Sequence, residues 1–289
     1  MIWDNDTVKR LSQYALSYLG GVKEDSCRFQ GGNWKYLEAG KGDVILCLHG
    51  ISGSKVAWRS FMHGMAANYQ VLSPDVPGLS LRVGFVDSEP TKRKMLDWMH
   101  GFLKAKEIGK VHLVCHATGG IMGAYYAQSF PDDVASFTWV NPPDLDKVRA
   151  GSLPMWERVK LGFSDIQQVE EYSDSFFYNP PKFPNVVKRF FLKSVMDTIS
   201  DGTLVRFIES EIEALPLLMS KLRGLKVPTL LVAGDHDVMS SQSWVLKLNR
   251  LISGSELVTL ERCGQICMIE RVEELVVEYH RYLDELKKA

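Results

Sequence analysis

Short, nearly continuous apolar runs alternate along the chain with longer segments whose apolar positions recur every three to four residues. The runs Val44–Leu48, Gln70–Ser73, Val111–Cys115, Ser136–Val140, Thr229–Ala233 and Glu256–Leu260 read as strands. Because most of them lack an in/out alternation, they are expected to be buried on both faces. Between them, Val56–Ala67, Thr91–Lys106, Gly119–Ser129, Ser241–Leu251 and Val272–Lys287 carry the helical period. This rhythm predicts βα units around a mostly parallel central sheet flanked by helices, an α/β fold. Residues 28–39 predict an earlier antiparallel pair that turns at Gly31-Gly32.

The rhythm breaks between about Asp144 and Leu225. No clear strand appears there, and the segment is aromatic and helical in character: Trp156, Phe163, Tyr172, Phe176, Phe177, Tyr178, Phe183, Phe190 and Phe191, punctuated by Pro180-Pro181 and Pro184. The expected organisation is a core of residues 1–143 and 226–289 interrupted by a helical cap, residues 144–225. Most of these aromatics are expected to fill the cap's own interior. The remainder are candidates for lining a pocket between cap and sheet, where ligand sites favour such interfaces.

Composition narrows this picture only slightly. Across 289 residues, 45% are hydrophobic and 24% charged, which is ordinary for a soluble enzyme. With 34 basic and 35 acidic residues the net charge is −1, so no electrostatic pull toward nucleic acid or an anionic membrane is expected. The first twenty residues contain early acids and no long apolar run, unlike a secretory signal, and no stretch reads as a membrane span. The five cysteines, Cys27, Cys47, Cys115, Cys263 and Cys267, are odd in number and scattered, as expected of reduced thiols in a cytoplasmic protein. Cys263-x-x-x-Cys267 has no second pair at zinc spacing, so no metal site is expected. No phosphate-binding loop or dinucleotide fingerprint appears, and no cofactor is expected.

Five segments carry candidate chemistry. Leu46-Cys47-Leu48-His49-Gly50-Ile51 ends the first predicted parallel strand. Asp75-Val76-Pro77-Gly78-Leu79-Ser80 follows the next one. Val111-His112-Leu113-Val114-Cys115-His116-Ala117-Thr118-Gly119-Gly120 runs from a buried strand through a sharp small-residue turn into a helix. Gly234-Asp235-His236-Asp237 and Glu261-Arg262-Cys263-Gly264-Gln265 follow the last two strands. In this order and context the chain resembles the α/β-hydrolase fold, including its esterase, C–C-hydrolase and epoxide-hydrolase-like members with a helical cap. The third segment resembles that fold's nucleophile elbow, Gly-x-Ser-x-Gly.

The resemblance implies roles residue by residue. Ala117 stands at the nucleophile's place, Asp237 at the acid's and Gln265 at the histidine's. His49, Gly50, Ile51 and Thr118 stand at the oxyanion loop and pocket, with the Ile51 and Thr118 amides as oxyanion donors. The turn at Asp75 is expected to be structural, with its carboxylate on nearby amides; Asp235 is expected to bond its loop, and Glu270 to sit in the first turn of the last helix. A methyl group cannot attack a carbonyl, and an amide cannot take up and return a proton near neutrality. Removing a nucleophile or base of this kind lowers turnover by about a million-fold.

Direct attack by water would need another base, for which His116, His236 and Asp237 are the candidates. His116 is expected near the pocket rim. Asp237, without a histidine to orient, either bonds Gln265 or keeps a raised pKa. Three functions stay open. The first is non-hydrolytic, cofactor-independent chemistry (lyase-, cyclase- or isomerase-like) on a small apolar or aromatic carbonyl compound. The second is ligand binding by a pseudoenzyme. The third is a serine ester or C–C bond hydrolase inactivated by substitution at 117 and 265.

Overall fold

The computed structural model describes residues 21–51, 53–80, 91–181 and 202–288. The first twenty residues and the segments 81–90 and 182–201, which include Phe183, Pro184, Phe190 and Phe191, lie outside the described residues.

Among the described residues, eight strands form one sheet in the order β1-β2-β4-β3-β5-β6-β7-β8. These are β1 Lys23–Phe29, β2 Gly32–Ala39, β3 Val44–Leu48, β4 Gln70–Pro74, β5 Val111–His116, β6 Val134–Val140, β7 Thr229–Gly234 and β8 Glu256–Leu260. The β1–β2 hairpin and the β2–β4 pair are antiparallel, and every pairing from β4 through β3 to β8 is parallel. The expected parallel strands are therefore present within a residue or two, and the early hairpin turns where expected, although β1 begins at Lys23 rather than at the expected residue 28.

The helices are α1 Arg59–Met65, α2 Lys92–Ala105, α3 Thr118–Ser129, α4 Leu145–Arg149, α5 Pro154–Leu161, α6 Ile166–Asp174, α7 Thr203–Glu213, α8 Leu215–Arg223, α9 Gln242–Leu251, α10 Cys267–Glu270 and α11 Val272–Leu286. The helix expected over Val56–Ala67 begins instead as a tight 3-10 turn, Lys55–Trp58, before α1. The Lys55 amide and ammonium both engage Asp75, which fixes this entry. Side-chain caps open several other helices: Thr91 accepts from the Lys94 amide at α2, Asp144 from the Lys147 amide at α4, Asp165 from the Gln168 amide at α6 and Ser241 from the Trp244 amide at α9.

Successive residues of the parallel strands feed two separate cores. Leu46, Leu48, Leu113, Cys115, Phe137 and Trp139 pack with α2 and α3 on one face. Ile45, Cys47, Val114, Val140, Leu230 and Val232 pack with α1 and α11 on the other. This two-sided burial explains why the strands read as continuous apolar runs. Helices α4 to α8 lie between β6 and β7 in sequence. Their Leu145, Trp156, Val169, Tyr172, Leu218 and Leu222 join the first core. The helical insertion therefore shares the interior of the sheet's α2/α3 side. Among the described residues, no helix is long and apolar enough to cross a membrane.

Candidate functional site

Strand β5 hands the chain to α3 through a single residue, Ala117, at φ 47° and ψ −121°. L-residues rarely adopt this backbone. Three bonds hold it: the Ala117 amide donates to Val140 O at 2.8 Å, and its carbonyl accepts from Trp139 Nε1 at 2.8 Å and from the Gly120 amide at 3.0 Å. A β-carbon at Gly119 would lie 2.5 Å from the His49 carbonyl oxygen, and one at Gly120 would lie 2.0 Å from Trp139 Nε1. The small residues of the elbow are thus dictated by how closely β3, β6 and α3 approach. Ala117 itself is only partly covered.

The oxyanion-loop segment closes onto this elbow. The Ile51 amide donates to Thr118 Oγ1 at 2.7 Å. Thr118 opens α3, where the first N–H groups have no intrahelical acceptor. His49 is fully enclosed: its Nε2 accepts from the Val76 amide at 2.9 Å, which leaves Nδ1 to donate to the Gly50 carbonyl at 2.8 Å. Burial holds this imidazole below its ordinary pKa. His49 thereby ties the loop after β3 to the turn after β4. Asp75 does not bond its own turn as the sequence suggested. It reaches back to the Lys55 amide at 2.9 Å and the Lys55 ammonium at 2.5 Å, because the folded sheet brings the 3-10 turn against it.

His116 is partly buried, and its Nε2 donates to the main-chain oxygen of Gln265 at 2.9 Å. Burial pushes its pKa down to about 4, against the pull of that carbonyl. At neutral pH it is therefore an uncharged donor committed to a backbone acceptor. Gln265 also donates its amide to Phe176 O at 2.8 Å, while its side-chain Oε1 is buried with no partner among the described residues.

Asp237 bonds neither Gln265 nor His116. Its Oδ1 accepts from the Met239 amide at 2.7 Å and the Ser240 amide at 3.1 Å, and its Oδ2 accepts from Asn141 Nδ2 at 2.7 Å. Burial nonetheless raises the carboxyl to about 7, since those three donors only partly offset its removal from water. Of the two alternatives the sequence left for Asp237, the raised pKa is the one the structure has. His236 is exposed, bonded to Asp235 Oδ1 at 2.7 Å with its ring 4.6 Å from that of Tyr178. Asp235 Oδ1 also accepts from the Cys263 amide at 3.0 Å, joining the loops after β7 and β8.

One contributor, Asn141, escaped the sequence reading, and another, Glu270, was placed wrongly by it. Asn141 is fully buried at φ 53°, and its Nδ2 bridges Asp237 Oδ2 and Gly264 O. The available signal was a polar residue between the buried run of β6 and Pro142-Pro143. Glu270 closes the short helix α10 rather than opening the final helix, because a separate turn precedes α11. Its carboxylate accepts from the amides of Gly264 at 2.7 Å, Tyr178 at 3.0 Å and Asn179 at 2.8 Å, clamping the helical insertion to the Gln265 loop. Cys263 and Cys267 are free thiols there, fully buried with sulfurs 3.2 Å apart. Among the described residues, no group of three or more metal-binding side chains comes together.

Residues 43–272 match the family model described as the alpha/beta hydrolase fold. The chain belongs to the α/β-hydrolase fold family. It is similar to Lipase 1 of Psychrobacter immobilis, at 22% identity over 96% of this chain and 89% of the lipase. It is also similar to the 2-hydroxy-6-oxo-6-phenylhexa-2,4-dienoate hydrolase of Burkholderia cepacia, at 24% identity over 82% of this chain and 86% of that enzyme. Its fold superposes on the crystal structure of a membrane phospholipase A described as a bacterial virulence factor, with a TM-score of 0.79, 23% identity and coverage of 98% of this chain and 93% of the other. These α/β-hydrolase relatives include both ester and C–C bond hydrolases, all at low identity.

Proposed function

We propose that this α/β-hydrolase-fold protein binds a small apolar or aromatic ligand beneath its helical cap and does not turn it over through an acyl-enzyme. The observation that carries the reading is the residue at the elbow: a strained turn, held by three hydrogen bonds, that presents the methyl group of Ala117. No covalent intermediate can form on carbon. Two of the groups that could take over, His116 and Asp237, are committed elsewhere. His116 spends its ring N–H on Gln265 O, and Asp237 accepts three hydrogen bonds from its own surroundings. Glu270 fastens Tyr178 and Asn179, and the Gln265 amide fastens Phe176, so the aromatic insertion is anchored to the loop beside the elbow, where an apolar ligand would find its cover.

The test pairs binding with turnover. Medium-chain fatty acids, monoacylglycerols and aryl ketones are titrated into the purified protein by calorimetry, and the same mixtures are analysed for products. Saturable binding with unchanged ligand is the expected result. Product formation that disappears in Asp237→Asn would overturn it in favour of non-hydrolytic catalysis. One observation favours that second reading: a carboxyl group with a pKa of about 7 is matched to proton abstraction at neutral pH. The combined substitution Ala117→Ser with Gln265→His separates out the third reading. Vigorous hydrolysis of p-nitrophenyl esters by that variant would mark the chain as a hydrolase inactivated at two positions.

A further inference from the structure

The resemblance implies the Ile51 amide as a donor for a ligand's carbonyl oxygen, yet that amide already has an acceptor. Thr118 Oγ1 lies 2.7 Å from Ile51 N, a full-strength hydrogen bond. The contact is enclosed: Thr118 is 4% exposed, and a β-carbon at Gly50 would lie 3.2 Å from the Ala117 methyl and 3.3 Å from Thr118 Oγ1. Loop, methyl and hydroxyl therefore converge on one small volume, the volume an oxygen atom of a bound ligand would enter.

We propose that the Thr118 hydroxyl is a specificity-determining group: a built-in occupant of the Ile51 amide that removes carbonyl and carboxylate oxygen recognition at the elbow and leaves the site selective for ligands held by apolar contact. The inference rests on the ligand-binding reading above and narrows it. Exchanging one neutral acceptor for another at the same N–H yields almost nothing, whereas filling an amide left without an acceptor yields about 1 kcal/mol or more. A charged or developing oxyanion would gain roughly twice as much. Threonine is also suited to the task because its branched side chain has few rotamers at the start of a helix, so the hydroxyl is held in place at small entropic cost. As a nucleophile the same hydroxyl is poorly placed, since it opens α3 one residue past the elbow and one of its two lone pairs is engaged by the Ile51 amide.

The experiment uses the full chain, 15N-labelled, with acetate as the oxygen probe and the Ile51 amide resonance as the reporter. Wild type is compared with Thr118→Val, which keeps the shape and deletes the hydroxyl, and with Thr118→Ser, which restores it. Thr118→Ala serves if the valine variant's spectrum shows it misfolded. The expected result is a saturable shift of the Ile51 amide in the variant lacking the hydroxyl, with an apparent affinity at least about ten-fold above wild type and the serine variant. Equal response in wild type, or no response once the hydroxyl is gone, would overturn the proposal. Uptake of 2-undecanone, followed through its carbonyl 13C resonance, is measured in parallel. If no form of the protein takes up the ketone, the ligand-binding reading fails, while the acetate titration still decides the role of Thr118.

Discussion

The imidazole of His116 donates to the main-chain oxygen of Gln265 across 149 positions of sequence, at 2.9 Å. This bond joins the elbow to the loop after β8 without using the Gln265 side chain at all. It also fixes the tautomer: the proton is on Nε2, and protonating Nδ1 as well would place a cation in a poorly solvated site.

His116 is therefore expected to titrate near pH 4 rather than 6.5. Following its ring Cε1 proton by NMR from pH 8 downward should give an inflection close to 4. A midpoint between 6 and 7 would contradict the description of this ring as a committed neutral donor. Its contribution to stability is fully present above the unfolded-state pKa and is lost as pH falls from about 6.5 toward 4.

Asp237 works in the opposite sense. Its folded pKa, about 7, lies above the unfolded value of 3.8, so the native state binds a proton that the unfolded chain releases. Its contribution to stability is full below the unfolded pKa and is lost as pH rises through about 7. The two groups offset each other over much of the same window. In Asp237→Asn only the His116 contribution remains, so denaturant midpoints should fall more steeply between pH 7 and pH 4 than in wild type. Parallel profiles for the two proteins would refute the raised pKa. The substitution is sterically mild. Asn141 Oδ1 has no partner among the described residues and is available to accept from the new amide after a flip.

Glu270 holds three amides from two segments, Gly264 on the loop after β8 and Tyr178 with Asn179 on the insertion. Hydrogen bonds to a charged acceptor are each worth about 1.5–3 kcal/mol. Replacing Glu270 with Ala should cost about 3 kcal/mol, or a fall in Tm of roughly 6–10 °C. Hydrogen exchange at residues 176–179 should rise by more than exchange in β3 and β5. Uniform loosening of the whole sheet would count against a local clamp.

The backbone at Ala117 makes a prediction of unusual sign. Conformations of this kind cost about 1–3 kcal/mol in a residue with a β-carbon. A nucleophilic side chain would justify that cost; a methyl does not. Ala117→Gly should therefore stabilise the protein by about 1 kcal/mol, after allowance for the greater freedom of glycine in the unfolded chain. The measurement is the urea midpoint at constant m-value. A decrease would mean that the methyl packs against something whose contact outweighs the strain.

Much of the fold is carried by local pattern. The runs at Val44–Leu48 and Glu256–Leu260 are strands with those bounds, and the alternation of strand and helix is enough to place Ala117 at the end of β5. These features depend on neighbours two to four positions away and on which residues avoid water, which is information a single chain contains. The helix expected at Val56–Ala67 departs from its pattern because Lys55 answers to Asp75, twenty positions on. Asn141 stood out locally only as a polar residue before Pro142-Pro143, and its role is set by Asp237, ninety-six positions away.

By itself the sequence determined which atoms stand at the elbow: a methyl at 117, a hydroxyl at 118, an amide at 265. That is covalent chemistry, and no folding can alter it. Only the tertiary structure decided how the remaining polar groups are spent. The Thr118 hydroxyl fell to the Ile51 amide, the His116 ring to Gln265 O, and the Asp237 carboxylate to Asn141. A hydrogen bond selects its partner by distance and angle in the folded chain, and burial then raises or lowers each pKa according to what surrounds it.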